Sequence, residues 1–123
     1  MKRYIILKAT LAAIVVCISG CSEERIDPAA LKLAECAGFF SALSEQLGGN
    51  LEARDESKAF HYAASQVDDN TKEVDGYVYG LTDRANGMFS LKAEKHGKQA
   101  VFDYVAEETA SCMKLKEKHA ELF

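Results

Sequence analysis

The stretch DPAALKLAECAGFFSALSEQLGG, residues 27–49, reads as one helix with both ends marked. The Asp27 carboxylate is placed to accept hydrogen bonds from the free amide N–H groups of a first turn. Pro28 is tolerated at the next position because its missing N–H would have had no partner there. Leu33, Cys36, Phe40, Leu43 and Leu47 follow at spacings of three and four, which lines them along one side of a 3.6-residue helix. Gly48 and Gly49 reach left-handed backbone at little cost, so the pattern predicts a helix over residues 28–47 that stops there.

Outward from this helix the same signals repeat. Asn50 is placed to cap a second helix over residues 51–67, with Ala53, Phe60, Ala63, Ala64 and Val67 on its buried side. Asp68, Asp69, Asn70 and Thr71 break the pattern and restart it. Val74, Tyr77, Val78, Leu81, Ala85 and Met88 then give a third apolar stripe at helical spacing. Gly76, Gly80 and Gly87 weaken that third helix by about 1 kcal/mol each relative to alanine, and a strand over residues 74–79 competes, because Tyr77 and Tyr79 alternate. Helix is preferred: no other stretch offers a partner strand, and after Cys21 there are six Ile or Val against fifteen Ala. A last helix is expected over residues 90–119 with a bend at Gly97, its apolar positions including Leu91, Val101, Val105, Cys112 and Leu115. The expected fold is all-α, a small bundle of about four helices over residues 28–123.

Composition agrees with a single small domain. The chain has 123 residues, 28% of them charged and 9% aromatic, with one proline, which excludes collagen-like, low-complexity and disordered classes. All three basic residues before position 21 lie in an apolar leader, and residues 21–123 hold 12 Lys or Arg against 19 Asp or Glu, a formal charge of −7. An acidic chain without a basic cluster repels nucleic acid phosphates, so no nucleic acid partner is expected.

Met1-Lys2-Arg3 and Lys8 precede an uncharged run from Ala9 to Ile18, too short to cross a bilayer, which needs roughly 20 apolar residues. The run ends in Ile18-Ser19-Gly20-Cys21, which resembles the lipobox of bacterial lipoproteins: an aliphatic residue, two small residues and a cysteine. The resemblance covers about 21 residues, and Ile18 stands where leucine is commoner. It implies that residues 1–20 are a signal peptide, and that Cys21 becomes the first mature residue, carrying diacylglyceryl and acyl chains of the palmitate kind. Residues 21–27 would then be a short lipidated tether. Several acyl chains, at about 0.8 kcal/mol per buried CH₂, hold a domain on a membrane without a spanning helix. Ser22 after the cysteine, rather than Asp, implies by the same resemblance the periplasmic face of the outer membrane.

On that reading Cys17 leaves with the signal and Cys21 is consumed by lipid, leaving Cys36 and Cys112. An even pair in an oxidising compartment is expected to form a disulfide. The bond would join the first and last helices packed antiparallel, close a 76-residue separation, and contribute up to about 4–5 kcal/mol in the chain-entropy model.

Motifs for chemistry are sparse. His61, His96 and His119 are far apart and lack the spacing of a zinc site; His61, beside Phe60 and Tyr62, is expected at the edge of the core. The run from Asp68 to Gly76 is rich in oxygen ligands, but Lys72 and Glu73 stand fifth and sixth, where a calcium loop needs a ligand and a turning glycine. Gly76 and Gly80 form a close-packing pair that would at most let another helix approach. There is no nucleophile motif and no phosphate loop, and no catalytic residue, metal or cofactor is assigned. Phe39-Phe40 and Tyr77-Val78-Tyr79 hold more aromatic surface than one buried stripe needs, which marks Phe39 and Tyr79 as a candidate partner surface.

The expected function is therefore an envelope lipoprotein whose noncatalytic helical domain binds another protein. It resembles in general type immunity, exclusion and secretion-accessory proteins. The alternative is a stress chaperone resembling the small disulfide-bonded helical chaperones of the periplasm. Those are not lipidated, and their cysteines lie closer together. A hydrolase or ligand carrier is a third class, for which no residue stands out.

Overall fold

The computed structural model describes residues 26–123. The expected signal peptide 1–20, the lipidation site Cys21 and the tether up to residue 25 lie outside the described residues. Four helices follow: α1 (Pro28–Gln46), α2 (Leu51–Val67), α3 (Thr71–His96) and α4 (Lys98–Lys118), then a single 3₁₀ turn over Ala120–Leu122. Residues 74–79 are helical, inside α3.

The helix ends follow from the side chains there. The Asp27 carboxylate accepts from the Ala29 N–H at 2.8 Å, with Pro28 in the first turn. Gly48 and Gly49 sit at φ of 71° and 90°, and the Gly49 N–H donates to the Ser44 carbonyl at 2.7 Å, which closes α1. The Asn50 side chain accepts from the Ala53 N–H, and that of Asn70 caps α3. The Asp68–Asn70 turn is pinned rather than loose: one Asp68 oxygen accepts from the Asn70 N–H, the other from the Asp27 N–H at 2.7 Å.

These bonds also fix direction. The Asp27–Asp68 bond joins the start of α1 to the end of α2, while the Ser44 hydroxyl donates to the Asn50 carbonyl at the opposite end, so α1 and α2 are antiparallel. Gly38 lies against Leu81 and Thr82, and Gln46 bonds Asn86, so α3 runs parallel to α1. α4 returns antiparallel to both, with Tyr104 beside Phe89 and Cys112 bonded to Cys36. The result is an up-down-up-down bundle.

α1 is its centre. Ten of the 19 residues of α1 are buried, on more than the one side that the leucine stripe marks. Ala30, Ala34, Ala37, Gly38 and Ala42 are small enough for α2 and α3 to close in on either flank. A Cβ built on Gly38 would fall 2.8 Å from Leu81 Cβ and 2.9 Å from the Thr82 amide nitrogen. The close approach of α1 and α3 thus occurs at Gly38. At Gly76, Gly80 and Gly87 an added Cβ would meet nothing within 4 Å, so the close-packing role expected of Gly76 and Gly80 is corrected.

The boundary between the last two helices is also corrected. No break falls at Ser90; α3 continues to His96 because Phe89 stays in helical register with Val78, Thr82 and Ala85 and is buried with them. The break comes at Gly97, the residue with φ of 86°, whose N–H closes α3 on the Lys92 carbonyl. α3 is about 39 Å long and α1 about 28 Å at 1.5 Å per residue, so the α3–α4 hairpin overhangs the end of α1.

Candidate functional site

The Cys36–Cys112 disulfide forms as expected, with Cα atoms 5.8 Å apart across 76 residues of sequence. Both cysteines are buried in the main core. Around them runs a continuous line of rings: Phe123 on Phe60, Phe60 on Phe40, Phe40 on Phe39, then Phe39 on Phe89 and Tyr104 at centroid separations of 4.9–6.2 Å. Such offset and edge-on pairs add about 0.5–1.5 kcal/mol each beyond the area they bury.

Phe39 and Tyr79 part company. Phe39 is 2% exposed and stands in that ring line, so its expected place on a partner surface is corrected. As the central helix α1 has a second apolar side, and Phe39 faces α3 and α4 while Phe40 faces α2. Tyr79 is 77% exposed and lies on the rim of a cleft between α2 and α3. That cleft is polar: Glu45, Asp75 and Asp83 line it with Ser41, Ser57 and His61. His61 Nε2 sits 2.7 Å from Asp75 Oδ1, which satisfies the ring at the edge of the core. The Ser57 hydroxyl is turned inward and donates to the Ala37 carbonyl.

A second cleft, of about 260 Å³, lies where α1, α3 and α4 meet. Phe39, Leu81, Ala85 and Met88 form its floor, and Tyr104 closes it from α4. Burial pushes the Tyr104 phenol above its ordinary range, the Glu108 carboxylate adds to the rise, and the Arg84 guanidinium opposes it.

Leu47 and Leu91, which spacing puts on apolar stripes, are exposed, and so are Leu51 and Phe102. Leu47 ends the α1 stripe and Leu91 falls on an apolar position, yet they are 57% and 45% exposed. Leu47 and Leu51 flank the α1–α2 turn, and Leu91 and Phe102 flank the α3–α4 turn. Both turns are at the end of the bundle opposite Ile26, and Leu51 and Phe102 carried no sequence signal of their own.

Among the described residues no group of three or more His, Cys, Asp or Glu side chains is arranged to hold a metal ion, and no helix is long and apolar enough to cross a membrane. No family model, no curated protein and no solved structure matches this chain.

Proposed function

We propose that this chain is an envelope lipoprotein, held by lipid on Cys21 at the periplasmic face of the outer membrane, whose helical domain binds another protein and carries out no catalysis. The observation that carries the reading is the placing of exposed aliphatic side chains. Leu47, Leu51 and Leu91 share one end of the bundle with the exposed ring of Phe102, while the chain leading back to Cys21 leaves from the other end at Ile26, where the exposed apolar side chains are the rings of Tyr62 and Phe123. A five-residue link from Cys21 to Ile26 spans at most about 17 Å, so a lipid on Cys21 would hold the Ile26 end close to the bilayer and turn the apolar end away from it. Apolar side chains gathered at one end are what a protein partner buries, and water gives no reason to gather them.

Two experiments separate the parts of this reading. Metabolic labelling with a clickable fatty acid should mark the wild-type chain and leave Cys21→Ser unlabelled; equal labelling removes the anchor. Crosslinking in intact cells followed by affinity capture should enrich a stoichiometric protein partner. Leu51→Ser combined with Phe102→Ser should abolish that capture while the helical signal is kept, and undiminished capture would remove the apolar end from the interface.

A further inference from the structure

α4 is held at its far end and barely held at its near end. Near its C-terminus three attachments meet: the Cys112–Cys36 bond, a Lys116–Glu56 ion pair at 3.2 Å, and the chain end, where Phe123 packs on Phe60. Toward the N-terminus the picture reverses. Cys112 is the one buried residue of α4; Val101, Tyr104 and Val105 are only partly buried against the core, and the Lys92 ammonium over the Tyr104 ring, 5.7 Å from its centre, is a partly exposed contact. The helix opens at Gly97, at φ of 86°, with no side chain capping its first turn, and Lys98 places a positive charge at the positive end of the helix dipole. The overhang past α1 leaves its first turn only α3 to lie on, and below it is the cleft floored by Phe39, Ala85 and Met88.

We infer that residues 98–111 act as a strap that melts open locally, uncovering a groove on α1 and α3, apolar along its floor and edged by Glu35 and Arg84, while the rest of the bundle stays folded. The strap melts instead of swinging, because Gly97 fixes one end to α3 and the disulfide fixes the other to α1. Segments with few buried apolar contacts and solvent-exposed backbone hydrogen bonds are those that open below the global unfolding free energy. What it uncovers is specific: removing Tyr104 from its edge-on contacts with Phe39 and Phe89 exposes both rings, beside Leu81 and Ala85.

Hydrogen exchange read by mass spectrometry on the full chain, with the disulfide intact, tests it. Amides 102–110 are the ones to follow, since the first turn of α4 lacks partners in any case. They should open at least about tenfold more often than amides 33–42 of α1, and with a weaker dependence on denaturant. Ala106 is exposed in the middle of the strap, so Ala106→Gly should loosen the helix without touching the core. It should raise exchange of 102–110 several-fold and leave α1 and α2 unchanged. Equal opening of the two segments with the same denaturant slope would overturn the strap, and so would an Ala106→Gly effect spread evenly over all four helices.

Discussion

α1 and α4 are of similar length, 19 and 21 residues, and have opposite fates: ten residues of α1 are buried and one of α4. Charge accounts for part of the difference, with eight Asp, Glu, Lys or Arg residues in α4 against three in α1, yet α4 still carries Val101, Phe102, Tyr104, Val105, Met113 and Leu115. Position accounts for the rest. α1 is flanked by α2 and α3, its small alanines leave room for both, and at Gly38 α3 approaches until a methyl group would no longer fit. α4 lies on the outside of a hairpin that overhangs the bundle, and a covalent bond holds it where apolar burial is thin. A small domain can thus keep a helix it has too little core to bind, provided one buried crosslink stands in for the missing contacts.

Breaking the crosslink should have the largest effect. The pair Cys36→Ala and Cys112→Ala should lower the unfolding free energy by about 4–5 kcal/mol in urea titrations followed by circular dichroism, with the α4 signal lost first. An unchanged midpoint would mean that the partly buried residues of α4 hold it unaided. Next comes Phe39→Ala, which removes a ring from the middle of the line and should cost about 3–5 kcal/mol. Phe102→Ala, the same deletion on the exposed side of α4, should change stability by less than about 0.5 kcal/mol, and a similar loss at both sites would erase the contrast. Glycines sharpen it further. Gly38→Ala should cost about 1–3 kcal/mol by forcing α1 and α3 apart. Gly76→Ala and Gly80→Ala, in open space on a regular helix, should each add up to about 1 kcal/mol.

The smallest effect concerns alkaline pH. Burial raises the Tyr104 phenol in the folded chain, so the folded state holds this proton more tightly than the unfolded state does. Its contribution to stability is therefore complete below about pH 10, the ordinary value for the group, and is lost as pH rises through the folded value. Tyr104→Phe should flatten that part of the stability profile in denaturant titrations run on either side of pH 10. A profile as steep as that of the wild type would place the alkaline loss elsewhere.

Legibility in the sequence followed the range of the interactions. Caps at Asp27, Asn50 and Gly48-Gly49 act within five residues, and α2 starts after Asn50 and ends before Asp68, as those residues indicate. The cysteine pair was legible because export chemistry leaves those two thiols, and both fall on apolar stripes. What could not be read was which helix would be central. That is decided by all four together, and Phe39 turned inward for this reason alone: a second apolar side on α1 has meaning only once α3 and α4 occupy it. The α3–α4 boundary falls at Gly97 and not before Ser90, because a glycine in left-handed backbone stops a helix where the end of an apolar stripe does not. Of the two residues expected on the surface Tyr79 is exposed, while the exposure of Leu47 and Leu91 has no signal in their spacing.

The bond between Cys36 and Cys112 also makes the chain a closed ring, with the α1–α2 turn, the Asp68–Asn70 turn and Gly97 all inside it. A protease that cuts at any one of the three turns would open the ring without dividing the molecule. The two fragments would stay joined and travel as one species on a gel run without thiol. Damage to the backbone would become visible only when a reductant separates the pieces, and a nicked domain could go on holding its shape long after the cut.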